Sequence, residues 1–266
     1  MNPINRSQLL DLPFVLVSGQ ARSGTTVLTR AIAAHPDILS NGLECTWLRD
    51  VLELLRCNVD NSSRMRQCVP SPNEFVDVFR TASFEILFPQ QMLPSRLPQA
   101  VSAFSSLKLD VLDQVQRLLP QVKILNIVRN GVEVVSSRMI HRSIGQLSFE
   151  QHCEAWARSV DVVKWAGAQP FFKLVRHEQL LGEETRELFV EIQEWAGVSF
   201  SEACHDYVRG NVINTTHQEG EQDSTPDQLS RRVERWQHWT GQQKAIFEDV
   251  CGEAMDFFGY ALPESG

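Results

Sequence analysis

Residues 13–26 read PFVLVSGQARSGTT. Positions 13–18 form a short apolar run, as a strand buried on both faces requires. Gly19 ends the run, and residues 25–34 then carry apolar positions at helical spacing up to His35-Pro36, where a helix should stop. A strand, a glycine loop and a helix in that order set successive backbone N–H groups and the positive helix end around one hollow, which favours an anionic phosphate. Gly24 permits close approach of the backbone, and the hydroxyls of Thr25 and Thr26 add donors. The spacing equals that of the ATP/GTP loop GxxxxGK[ST], with Thr25 standing where lysine should be. That lysine reaches the β- and γ-phosphates of a nucleoside triphosphate. Here the cation is Arg22, two residues before Gly24. A donor with fewer phosphates, used without a metal, tolerates the exchange; a small-molecule kinase tolerates it poorly.

Downstream, strand-like and helix-like stretches alternate. Residues 46–56 and 73–88 read as helices, separated by a polar loop at 57–72. A proline-rich break at 89–98 has the character of a mobile cover. Strands are expected at 106–109, at 122–128 (VKILNIV) and at 171–175, and helices at 131–141, 149–166, 184–196, 226–236 and 241–258, with a polar loop at 211–225. Thr225 followed by Pro226 is an N-cap before a first-turn proline. Trp156 and Trp165 are expected in the core. The alternation predicts one α/β domain over residues 1–266, P-loop-type, with a central parallel sheet of about five strands and helices on both faces. Ligands of such sheets bind at the carboxyl ends of the strands.

The chain has 266 residues, enough for one sizeable core, and a formal charge of −8, from 25 Lys+Arg against 33 Asp+Glu. That balance argues against a nucleic-acid partner, which calls for a basic surface. An anionic ligand must then be held by locally placed donors. The six cysteines lie far apart, with no CxxC pair and no histidine at metal-ligand spacing, which reads as reduced thiols and no metal site. Residues 1–12 lack the basic start and apolar run of a signal peptide, and no stretch approaches the roughly 18 apolar residues of a membrane span. A cytoplasmic location is expected.

A second anion motif begins where the 122–128 run ends. Arg129-Asn130-Gly131 precedes a helical stretch holding Ser136, Ser137 and Arg138. An arginine at a strand's carboxyl end stands on the ligand edge, and a guanidinium and a hydroxyl can bind one phosphate together. Ser137 lies eight residues on, about two helical turns. Whether it returns to Arg129 depends on the shape of the turn.

Taken together, Arg22-Ser23-Gly24-Thr25-Thr26 with His35-Pro36, and Val128-Arg129-Asn130-Gly131 with Ser137, resemble sulfotransferases that use 3′-phosphoadenosine 5′-phosphosulfate (PAPS). The likeness is nearest to bacterial members and to tyrosylprotein sulfotransferases, and it continues through residues 174–180, Arg235-Trp236 and 258–260. The resemblance implies that Arg22, Ser23, Gly24, Thr25 and Thr26 hold the 5′-phosphosulfate, and that Arg129 and Ser137 hold the 3′-phosphate. It implies Glu44 as general base, Lys108 as a stabiliser of the transferring group, and Ser224 and Arg235 as late contacts to the nucleotide. The product would be adenosine 3′,5′-bisphosphate, with no metal. Its partner would be a hydroxyl-bearing acceptor of unknown class, with homodimerisation left open. Three positions depart from the pattern: Asn130 replaces a common aspartate, His177 replaces a common tyrosine, and Arg142 is displaced by one residue from a further cation.

Two other functions compete with sulfuryl transfer. One is a small-molecule kinase on the same scaffold, which the missing loop lysine disfavours. The other is a non-catalytic nucleotide-binding protein, which the presence of Arg22, Glu44 and Lys108 disfavours. His35, at a helix-ending His-Pro, reads as structural. Glu44 has a plain alternative as a capping glutamate before the helix at 46–56. Residues that choose the acceptor are expected within 57–107 and 145–149.

Overall fold

The computed structural model describes residues 14–44, 46–59, 71–87, 97–101, 109–210 and 234–263. Its centre is a five-stranded parallel sheet of β1 (Phe14–Gly19), β2 (Ile38–Glu44), β3 (Leu97–Val101), β4 (Val122–Val128) and β5 (Phe172–Arg176). The spatial order is β2-β3-β1-β4-β5. β1 pairs with β4 from Phe14 opposite Val122 to Gly19 opposite Ile127, and β4 pairs with β5 from Ile124 opposite Phe172 to Val128 opposite Arg176. Because every pair is parallel, Gly19, Glu44, Val128 and Arg176 all end strands at one edge of the sheet.

Two cores account for the apolar runs. Phe14 and Leu16 of β1, with Val122 and Ile124 of β4, face one side. Val15 and Val17, with Leu125 and Ile127, face the other. Successive strand residues point to opposite faces, so a strand covered on both sides must be apolar throughout. The first face is covered by α2 (Thr46–Val59), α4 (Leu109–Leu118), α5 (Gly131–Met139), α6 (Phe149–Ala157), α7 (Ser159–Ala166) and α10 (Gly241–Phe257). The second is covered by α1 (Thr25–Ala33), α8 (Thr185–Ala196) and α9 (Ala203–Gly210). α3 (Pro72–Leu87) packs its Phe75, Val76 and Phe79 against the first core. Each fully buried large side chain contributes about 1.5–3 kcal/mol, and the first core holds Trp156, Trp236, Phe247 and Phe258.

Several expectations need correction. The strand anticipated at 106–109 is replaced by β3 at Leu97–Val101, while Leu109 opens α4; residues 106–108 lie outside the described residues. The break at 89–98 therefore already enters the sheet at Leu97 and Pro98, and its earlier part is outside the described residues. β2 was not anticipated. The single helix expected at 149–166 is two, meeting at Arg158, which caps the first and begins the second. At that junction Ser159 Oγ donates to the Trp156 carbonyl at 2.6 Å. Trp156 is core, but Trp165 is 37% exposed. α2 continues to Val59, past the expected end at 56. The loop at 211–225 and most of the helix expected at 226–236 lie outside the described residues; 234–237 are helical.

Candidate functional site

The turn after β1 is held by Ser23, whose N–H donates to the Gln20 carbonyl at 2.9 Å. Arg22 within it has φ +79°, a left-handed conformation uncommon for a residue with a Cβ and costing on the order of 1–3 kcal/mol. Gly24 caps α1 at φ +101°. A Cβ there would come within 2.5 Å of His177 Cδ2, so the position admits only glycine. α1 has no side-chain cap and no acidic residue in its first turn, which leaves the positive end of the helix uncompensated. Ser23 is buried in this turn, Thr25 half-buried and Thr26 exposed.

β4 ends at Val128, and Arg129 follows almost wholly buried. Its Nη2 donates to Glu133 Oε1 at 2.8 Å, and its carbonyl accepts from Trp156 Nε1 at 3.0 Å. Asn130 caps α5, its Oδ1 accepting from Val132 N–H at 3.0 Å. Arg235 stands 4.0 Å from the same Glu133 carboxylate, so two cations converge on one buried acid.

Ser137 is where the two anion motifs meet. Arg22 Nε donates to Ser137 Oγ at 2.9 Å across 115 residues of sequence. α5 therefore does not recede from the sheet edge; its second turn comes back over the loop. Burial, and then the positive charge of Arg129, lowers the pKa of Arg22. Two guanidinium groups that repel at the mouth of a loop are an arrangement that an anion between them relieves.

His177 opens a short 3₁₀ turn (His177–Leu180) after β5 and lies beneath Gly24. It is buried, and neither ring nitrogen has a hydrogen-bond partner among the described residues. Burial, with a contribution from Arg129, holds its pKa well below the usual histidine value, so the ring is neutral. Ser23 Oγ, Arg129 Nε and Asn130 Nδ2 are likewise buried without partners among the described residues. Buried donors are normally satisfied, so this group around one loop marks a place made for acceptors. Next to it, Glu178 accepts from Asn130 N–H at 3.4 Å and from the Tyr260 hydroxyl at 3.0 Å, tying the β5 edge to the chain beyond α10.

The structure thus brings Arg22, Ser23, Gly24, Arg129, Ser137 and Arg235 to one end of the sheet. Glu44 closes β2 at that same edge, opposite Val101 after a register shift. Lys108 and Ser224 lie outside the described residues. Arg142 is exposed in the turns after α5. His35 is structural: its Nδ1 accepts from Asp37 N–H at 3.0 Å and its Nε2 meets the Ser199 carbonyl at 2.6 Å. Sequence reasoning missed Glu133, although its place four residues after Arg129 was a usable sign of an ion pair. Among the described residues no cluster of His, Cys, Asp or Glu could hold a metal, and no helix is long and apolar enough to cross a membrane.

A parallel sheet whose first strand runs through a glycine loop into a helix defines a P-loop-type α/β protein, here with arginine in place of the loop lysine. The model of the sulfotransferase family matches residues 13–202, and the chain belongs to that family. Its fold is similar to the sulfotransferase domain of the olefin synthase of Synechococcus PCC 7002, with 20% identity, a TM-score of 0.55, and coverage of 94% of this chain and 96% of that one. It is also similar to the sulfotransferase domain of the curacin biosynthetic pathway (15%, TM-score 0.54, 95% and 99% covered). A third similar structure is the sulfotransferase STF9 from Mycobacterium avium (14%, TM-score 0.53, 97% and 81% covered). No curated protein sequence matches the chain.

Proposed function

We propose that this sulfotransferase takes its sulfuryl group from PAPS and passes it to a hydroxyl acceptor, with Glu44 as the base. The observation that carries the proposal is the 2.9 Å bond from Arg22 to Ser137, which makes one basin of two anion motifs. A nucleotide phosphorylated at two corners of its ribose needs such a double site. The buried donors without partners at Ser23, Arg129 and His177 fit its phosphates, and the space kept open by Gly24 fits close approach of its 5′-group.

When bound, this donor supplies the sulfuryl group and a phosphate that leaves. Glu44 accepts the proton of the acceptor hydroxyl as its oxygen bonds to sulfur and the sulfur–phosphate oxygen bond breaks. Arg22, Ser23 and the first N–H groups of α1 stabilise the charge gathering on the phosphate oxygen, with Thr25, Thr26 and Lys108 as further donors. Arg129 and Ser137 hold the 3′-phosphate, with Arg235 and Ser224 as further contacts to the nucleotide. No proton need cross the loop itself.

Calorimetric titration of the full chain with adenosine 3′,5′-bisphosphate and with ATP, each with and without Mg²⁺, tests the donor. The bisphosphate should bind without Mg²⁺ at least about 10-fold more tightly than ATP. Tighter, Mg²⁺-dependent ATP binding would overturn the reading. Labelled PAPS with a panel of hydroxyl acceptors then tests the base. Glu44→Ala should lose about 10²–10⁴ in transfer and keep its affinity for the bisphosphate; an active Glu44→Ala protein removes Glu44 from the mechanism.

A further inference from the structure

Arg138 is a cation buried without an acid. Its side chain, on a residue 5% exposed, lies between α5 and α6, where Nε donates to His152 Nδ1 at 3.3 Å. Among the described residues no carboxylate stands within ion-pairing distance of it. Burial, and then the positive charge of Arg158, disfavours its charged form. His152 is fully buried and neutral, its pKa lowered by burial and by Arg138. Because Nδ1 accepts, the ring proton is on Nε2, and that N–H has no acceptor among the described residues. Burying a guanidinium against a neutral imidazole is unfavourable, because the ring brings no charge to offset the lost hydration. The negative end of α5 offsets only a small part of that cost.

The pair stands beside the transfer site. Ser137 touches Arg22, and the Cα of Arg138 is about 3.8 Å from that of Ser137. α6 is fixed at the same level, since the Gln20 side chain of the loop donates to the Ala155 carbonyl, one turn after His152. We infer that Arg138, backed by His152, is an anion subsite next to the donor loop, and that the hydroxyl acceptor carries an oxyanion (carboxylate, sulfate or phosphate ester) that docks there. The inference rests on the proposed sulfuryl transfer for its acceptor, but its binding test does not.

The full chain is saturated with adenosine 3′,5′-bisphosphate and titrated with inorganic sulfate and with hydroxy acids paired with their neutral amides, 4-hydroxyphenylacetate among them. Sulfate should bind, and the acids should bind at least about 10-fold more tightly than their amides, the size of one charge-assisted contact. Arg138→Gln should abolish both effects, Arg138→Lys should restore part, and nucleotide affinity should stay unchanged in both. Circular dichroism confirms that each variant is folded, and Arg138→Lys carries the comparison if the glutamine variant is not. Equal binding of acids and amides by the wild type, or an acid preference that survives Arg138→Gln, overturns the proposal. Weaker nucleotide binding by Arg138→Gln would assign the guanidinium to the donor and overturn it too. Failure of the wild type to bind the nucleotide sinks the PAPS reading alone, and the same titrations without nucleotide then decide the role of Arg138.

Discussion

His177 is packed under Gly24 with two ring nitrogens and no hydrogen-bond partner for either among the described residues, so acid is the condition that exposes its cost. Its folded-state pKa lies well below the 6.5 of an exposed histidine, chiefly through burial and then through Arg129. Between those two values the unfolded chain binds a proton that the folded protein refuses. Stability is therefore fully present above about pH 6.5 and falls as the pH drops below it, by up to about 1.4 kcal/mol per pH unit for one group. His152 acts in the same direction. Urea unfolding of the nucleotide-free protein should thus show a midpoint that declines from pH 7 to pH 5. His177→Phe should flatten the decline, leaving the part due to His152, and an unchanged slope in that variant would show that His177 titrates normally.

α5 is the element that turns two sequence motifs into one site. Asn130 starts it by accepting from Val132, Glu133 in its first turn holds Arg129, and Ser137 in its second reaches Arg22. Removing the cap in Asn130→Ala should cost about 1 kcal/mol and weaken binding of adenosine 3′,5′-bisphosphate, whereas Asn130→Asp keeps the acceptor and should keep the helix. If Asn130→Ala loses stability but binds as before, the register of α5 does not depend on its cap. The same element shows where the sequence was readable. β1 and β4 announced themselves as apolar runs because both of their faces are covered, and Gly24 was marked by its place between strand and helix. The return of Ser137 to Arg22 was not legible, because it depends on the direction α5 takes after Asn130. β2 was hidden because its Ser40-Asn41-Gly42 reads as a turn, and β3 because Pro98 speaks against a strand. The burial of Arg138 was not legible either, because it depends on how α6 packs against α5.

Across the whole molecule, a chain of net charge −8 gathers Arg22, Arg129 and Arg235 at one end of its sheet. The overall field repels an anion, so affinity rests on how firmly the body holds those groups. Trp156 is the main link. Its Nε1 donates to the Arg129 carbonyl, its ring stacks on Phe247 of α10 at 6.3 Å, and a Cβ on Gly131 would meet both rings at 3.0 Å. α10 is joined again where Cys251 donates to the Cys153 carbonyl. Trp156→Phe keeps an aromatic ring but leaves a buried carbonyl unpaired beside the residue proposed to hold the 3′-phosphate. The loss should be about 1–3 kcal/mol from the orphaned carbonyl, with a further contribution from the smaller ring. Phe189→Leu is a control for general loosening, since Phe189 is fully buried in the core on the opposite face of the sheet. Urea unfolding should show both variants destabilised. Calorimetry should show weaker bisphosphate binding in Trp156→Phe alone. Equal weakening in the two would mean that the site senses overall stability, and that no particular path from α10 through Trp156 positions Arg129.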